Sequence, residues 1–262
     1  MINRHAGDGR GRMKRRLVLM LMASVACCVA NAGIPAKQSS EAKVDDQDLV
    51  AQNAMLMEAR RAIDAGKKVD SLPTIDKVIA HYESKYPESD KRWFVARNPS
   101  ESLAYMVMVA ADSDKGVDKR DAVALYTTAW SDAYYMKGFV LVDLGKSVEA
   151  MQAFEHAVAL SPYNSQYLAE LGNLYQSEKN WPKALELYKA AEDGATFTPA
   201  SQQVDDSTRA KRGIGYVLVE LGQFDEAEKK YEECIALNAH DDKAKQELEY
   251  VRSIRSKSVD RK

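Results

Sequence analysis

The chain has 262 residues, with 37 Lys and Arg against 39 Asp and Glu for a net charge of −2. That length allows one large domain or two ordinary ones. Its 13 Gly and 7 Pro, about 8% of the residues against roughly 12% in an average protein, exclude a turn-dense β-sandwich, a Gly-rich phosphate-loop enzyme and a disordered Pro/Gly tract. Three Cys and four His leave little material for a metal cluster or a disulfide framework, so composition points to a helix-rich chain without metal or cofactor.

Lys14, Arg15 and Arg16 precede an apolar run from Leu17 to Ala30, and Ala30-Asn31-Ala32 offers a small-x-small cleavage site. This is the pattern of a secretory signal peptide over 1–32, and the run falls short of the ~20 residues a bilayer span needs. Met13 stands where a natural start would sit. The alternative to cleavage after Ala32 is lipidation at Cys27, because Ala23-Ser24-Val25-Ala26-Cys27 loosely resembles a lipobox, with Ser24 where Leu is usual. Either route predicts an exported protein: periplasmic if free, or anchored to the envelope membrane through Cys27, the one way in which a membrane would be a partner. The leader carries six of the basic residues and one of the acids, so the mature chain keeps 31 basic and 38 acidic residues, a net charge of −7. An acidic body of that kind excludes nucleic acid as a partner.

Residues 33–45 read as a flexible linker, and 46–97 as an N-terminal helical region. Within that region, 46–65 (Leu56, Ala59, Ala62, Ile63) and 73–85 (Ile75, Val78, Ile79, Tyr82) have helical spacing. They either continue the array described next or form an irregular pair beside it. Asn98-Pro99-Ser100-Glu101 is an N-cap, an N1 proline and an N3 glutamate, opening a helix through Ala110. With a loop over 112–120 and Ala122, Tyr126 and Ala129 as the seam of a second helix, 98–130 predicts a degenerate helix pair.

From 131 onward the sequence repeats itself. Tyr134, Gly138, Leu141, Ala150, Phe154 and Ala157 recur 34 residues later as Leu168, Gly172, Tyr175, Ala184, Tyr188 and Ala191. A third copy follows as Gly215, Leu218, Gly222, Ala227, Tyr231 and Cys234. Gly inside a helix costs up to ~1 kcal/mol against Ala, so its return at one phase calls for close helix contact. Ala150, Ala184 and Ala227 keep the facing helix equally slim, and Phe154, Tyr188 and Tyr231 are placed to fill the space between successive pairs. Gly145 and Gly222 fall where first helices should end. Pro182 sits in the first turn of a second helix.

These residues resemble the tetratricopeptide repeat family. Three copies are in register over 131–164, 165–198 and 208–241, an insert loop lies at 199–207, a polar capping helix spans 242–256 and a tail follows at 257–262. Departures from the family pattern are Tyr134 and Lys211 at the Trp position, Lys137 for Leu, and Thr196 and Ala239 for Pro. The resemblance implies an all-α fold: a right-handed α-solenoid of stacked antiparallel helix pairs, here with an irregular helical region at the N-terminus. It also implies a concave face lined by repeat positions 2, 5, 9, 12 and 13. Those are Asp132, Tyr135, Phe139, Val142 and Asp143, then Gln166, Ala169, Asn173, Gln176 and Ser177, then Arg209, Arg212, Tyr216, Val219 and Glu220. The aromatics either anchor a peptide or pack against neighbouring helices, and Arg209 and Arg212 suit its acidic end. Tyr135 and Phe139 stand where some relatives carry Lys and Asn to clamp a C-terminal carboxylate, so that mode is disfavoured. Phe197, in the inserted segment, either reaches over the groove or belongs to an extended helix with a plain surface loop.

No catalytic constellation is present. His5 is in the leader, while His81, His156 and His240 have no Cys or carboxylate at ligand spacing, and Cys234 occupies the small-residue position held by Ala157 and Ala191. The reading is therefore a non-enzymatic scaffold of the bacterial envelope that binds another protein or peptide in its groove. The alternative is a structural subunit or lipoprotein part of an envelope complex, self-associating through exposed repeat ends.

Overall fold

The computed structural model describes residues 40–259 except Lys43, Asp90, Val117 and Lys119. The leader, Cys27, most of the expected linker and the last three residues lie outside the described part. Among the described residues no helix is long and apolar enough to cross a membrane.

Strand β1 (Ser40–Ala42) is followed by helices α1 (Asp46–Asp64) and α2 (Lys68–Lys85), strand β2 (Lys91–Val95), helix α3 (Pro99–Asp114) and strand β3 (Asp121–Leu125). Then come α4 (Ala129–Asp143), α5 (Ser147–Leu160), α6 (Ser165–Ser177) and α7 (Trp181–Gly194). A 3-10 turn at Ala195–Phe197 leads into α8 (Ala200–Glu220), α9 (Phe224–Leu237) and α10 (Asp242–Val259). The pairs α4/α5, α6/α7 and α8/α9 are antiparallel hairpins, each stacked on the next, and α10 closes the array. The class is all-α, as the repeat pattern implies.

A contact inside each hairpin explains the recurring glycines. A Cβ on Gly138 would lie 2.9 Å from the ring of Phe154, one on Gly172 3.0 Å from Tyr188, and one on Gly215 2.8 Å from Tyr231. The aromatic of the second helix thus lies flat on the glycine of its own first helix, rather than chiefly between pairs. Tyr188 alone among the three also reaches forward, where a Cβ on Gly213 of the following helix would meet its ring at 2.4 Å. Ala150, Ala184 and Ala227 are fully buried beside these rings.

The turns inside the hairpins share one geometry. Gly145, Lys179 and Gly222 have φ of +71°, +58° and +73°, and Gly66, between α1 and α2, has +76°. At each of the four, the left-handed residue bonds back three residues and its successor bonds back five, as in Gly145 N–H to Val142 O and Lys146 N–H to Leu141 O. That is the Schellman closure. Counted from Gly66, Ala59, Ser71 and Ile75 occupy the places of Gly138, Ala150 and Phe154, and all three are buried. With α2 packed on α4, the α1/α2 pair is a further repeat in the stack, not an irregular pair beside it. Helix α2 starts at Lys68, five residues earlier than the spacing suggests, with Pro73 inside it.

The main correction falls between α2 and α4. The degenerate helix pair expected over 98–130 is half right: Asn98 caps α3 through Glu101 N–H at 2.9 Å, but Asp121–Leu125 is a strand. It pairs in parallel with β2 and with β1, in the order β1-β3-β2. Three small residues at helical spacing are too few to outweigh an Ala-Val-Ala-Leu run facing Trp93-Phe94-Val95, where long-range pairing decides. Since β2, α3 and β3 form a βαβ crossover, residues 86–128 are an excursion between two stacked hairpins. β1 takes up part of what reads as linker.

The insert loop at 199–207 is also corrected. Past Pro199 the segment holds no helix breaker, and it extends the first helix of the third repeat to 21 residues. Phe197 does not cover the groove. Its ring stacks on Tyr163 at 5.2 Å and its carbonyl accepts from Asn98 Nδ2 at 3.2 Å, tying α3 to the array.

Lys211, standing at the Trp position, contacts Glu192 at 2.5 Å and Glu233 at 2.7 Å, and Lys230 reaches the same two carboxylates at 3.1 Å. Burial alone would lower the Lys211 pKa, but the bonds to Glu192 and Glu233 together raise it, so the ammonium clasps α7, α8 and α9 where an indole would otherwise pack.

Lys179 carries a Cβ in a conformation that Gly occupies in the other three turns. Lys179→Gly should therefore raise stability by on the order of 1 kcal/mol, and Gly222→Ala should lower it by a similar amount, both read from urea unfolding midpoints.

Candidate peptide-binding groove

The first helices α1, α4, α6 and α8, continued by α10, stand side by side and present the repeat positions named above. The structure sorts the candidate residues into joints between repeats and open surface.

Asp132 is a joint: Tyr167 Oη donates to its Oδ1 at 2.5 Å. Burial first, and then the Asp132 charge, holds the Tyr167 hydroxyl far above its usual range, so it stays a donor. Tyr135 is a second joint. Its ring lies 5.1 Å from Tyr167 and 5.7 Å from Phe154, and its Oη accepts from Gln166 Nε2 at 2.8 Å. For Tyr135 the packing alternative is the one observed. Arg212 is likewise engaged, paired with the buried carboxylate of Asp241 at the start of α10. Arg209 lies 3.3 Å from Asp206 and remains half-exposed.

Phe139 and Tyr216 are open. They occupy the same repeat position in the first and third repeats and are 43% and 38% exposed, well beyond what a core ring shows. Lys68 Nζ sits 6.0 Å from the Phe139 ring and also pairs with Asp143. Trp181 flanks Tyr216 at 6.4 Å between ring centres. The equivalent residue of the middle repeat is Asn173. Its Oδ1 accepts from Tyr188 Oη at 2.5 Å, with Gln176 Oε1 2.8 Å from the same oxygen, so both amides are oriented from beneath.

Two cavities follow from this arrangement. One of about 200 Å³ is lined by Tyr135, Phe139 and Gln166 together with Arg60, Ile63 and Asp64 of α1. The second, about 270 Å³, brings together Asn173, Gln176, Arg209, Arg212 and Tyr216 with Lys243, Gln246 and Glu247 of α10. On its floor the Tyr231 hydroxyl is buried without a hydrogen-bond partner. Asp132 lines neither cavity.

Sequence reasoning missed the contributions of α1 and α10. The Gly66 spacing to Ala59, Ser71 and Ile75 was the available signal for α1. For α10, Lys243 and Gln246 stand 34 residues after Arg209 and Arg212. Cys234 is fully buried, and burial pushes its thiol up to about 12, so it is a packing group rather than a nucleophile.

A family model described as tetratricopeptide repeat matches residues 131–164 and 213–241, and the chain carries repeats of that type there. The stretch between them is not matched, yet α6/α7 folds as the same hairpin. No curated protein matches the chain. Among solved structures it is similar to PilF of Pseudomonas aeruginosa, at 13% identity and a TM-score of 0.55 over 82% of this chain and 73% of that one. It is also similar to MamA of Desulfovibrio magneticus, at 14% identity and a TM-score of 0.50 over 78% of this chain and 85% of that one. At such identities the likeness is one of fold.

A buried hydroxyl with no partner costs about 1–3 kcal/mol. Tyr231→Phe should therefore leave the urea unfolding midpoint of the free protein unchanged or raise it, and a clear fall would mean that the oxygen is satisfied.

Proposed function

We propose that this protein is a non-enzymatic interaction scaffold that works outside the cytoplasm and holds an extended segment of a partner protein in its concave groove. The observation that supports this most is the pair of open rings, Phe139 and Tyr216, at one repeat position. Each borders a cavity whose remaining walls are fixed by bonds between repeats. Walls held in that way lose little conformational freedom when a ligand arrives, and exposed aromatics supply large contact area at low entropic cost. The partner reads as a peptide with apolar side chains spaced to meet the two rings and an acidic group near Arg209 and Lys243. Arg212 contributes less, since Asp241 already engages it.

The extracytoplasmic part of the proposal rests on the basic, apolar and small-residue order of 1–32. Purifying the protein from osmotic-shock and membrane fractions and weighing it intact tests this part. An N-terminus at Gly33 fits a periplasmic protein, and a diacyl adduct on Cys27 an anchored one. An unprocessed chain found only in the cytoplasm would contradict both.

For the groove, a photo-crosslinking amino acid at Phe139 or Tyr216 should capture a partner in intact cells, whereas one at the exposed Lys189 on a second helix should not. Phe139→Asp with Tyr216→Asp should weaken retention of that partner at least about tenfold. The unfolding midpoint should stay nearly constant, since exposed substitutions usually fall within about 0.5 kcal/mol. Undiminished capture by the double variant would contradict the groove reading.

A further inference from the structure

The inserted sheet has an edge that the groove does not use. In the order β1-β3-β2, β2 has a strand on one side only. Ala96 N–H donates to Leu125 O at 2.9 Å. Main-chain groups alternate sides along a strand, so Arg92, Phe94 and Ala96 turn theirs toward β3 and Lys91, Trp93 and Val95 turn theirs outward. Ser161 Oγ, donating to Val95 O at 2.9 Å from the outer side, fits this phase. Among the described residues no hydrogen bond reaches the outward N–H and C=O groups of Lys91 and Trp93.

That edge borders a trough of about 450 Å³. Its walls are Met108 of α3 on one side and Val158, Leu160 and Pro162 on the other, and Trp93 and Phe94, which lie on opposite faces of the sheet, both line it. The space therefore lies off the strand's edge and not over a face. Arg92 supplies an independent observation. Its Nη2 bonds Asp112 at 3.0 Å and its Nε lies 3.6 Å from Asp118, but its Nη1 is buried without a partner.

We propose that this trough receives an extended segment of another protein as an added strand on β2. Main-chain bonds run to Lys91 and Trp93, apolar side chains pack on Met108 and on Val158, and a carbonyl or carboxylate oxygen of the segment sits at Arg92 Nη1. Strand addition of this kind draws affinity from the main chain and specificity from the side-chain pockets. A second copy of the chain does not fit, because its β2 carries the same walls, and these would meet before the two strands reached ladder spacing of about 4.8 Å. An exposed edge invites pairing. A walled edge admits a lone strand and excludes a sheet.

Two variants act on the trough without touching the β2–β3 ladder. Lys91→Pro removes an outward donor at the first residue of an edge strand, where proline is tolerated. Ala159→Trp fills the trough from an exposed position lining it. The probe is a displayed library of random ten-residue peptides, selected on the whole protein and counter-selected on Ala159→Trp. Recovered peptides should bind at least about tenfold more weakly to each variant, slow amide exchange at Lys91 and Trp93, and ignore Phe139→Asp. The proposal is overturned if selection yields no peptide that discriminates the variants, or if the binders leave exchange at Lys91 and Trp93 unchanged. A peptide lost with Phe139→Asp would report the concave groove, and a set consisting only of such peptides would also overturn this site.

Discussion

Everything in the array follows from an aromatic ring lying on a glycine. At 2.8–3.0 Å from a hypothetical Cβ, the rings of Phe154, Tyr188 and Tyr231 leave no room for any side chain on the facing helix. Two helices held that close, with alanine on the opposite approach, form a thin hairpin that cannot bury its own apolar face. It must stack on another. Repetition of this contact at a fixed period is what makes the molecule a curved array rather than a bundle.

Stacking then divides the first helices into groups that hold repeats together and groups left over for recognition. The Tyr167–Asp132 bond and the Tyr135–Gln166 bond join the first two repeats, while Arg212–Asp241 fastens the closing helix. These contacts consume half of the polar side chains that the repeat pattern would assign to a ligand. What remains open is narrower and more apolar: Phe139 toward the N-terminal end and Tyr216 toward the C-terminal end, with oriented amides between them. The βαβ excursion adds a surface of a different kind, built from a strand edge instead of helix faces, on elements that the groove does not share.

The repeats were legible because their signal is local: glycine, alanine and aromatic at set offsets report contacts within one hairpin. The α1/α2 repeat was harder, since Ala59, Ser71 and Ile75 preserve the sizes of the pattern but not its letters, and 86–128 interrupt the period. The sheet could not be read, because β3 is a strand only by virtue of β2, 26 or more residues away in the pairing of Val95 with Leu125 and further for Lys91 with Asp121. The inserted 199–207 was misjudged as loop on length alone, when its composition permits helix throughout. Among the site residues, position was readable and availability was not. Nothing in the sequence distinguishes Tyr135, which is locked between two rings, from Phe139, which is free.

The central claim is that ring and glycine are one unit. A double-mutant cycle on Gly138→Val and Phe154→Leu measures it directly through unfolding free energies. If the ring is what excludes a side chain at 138, valine should cost markedly less once the ring is trimmed, with a coupling energy of about 1 kcal/mol or more. Strictly additive costs would show that the two residues act independently, and the account of why these hairpins stack would fail with them.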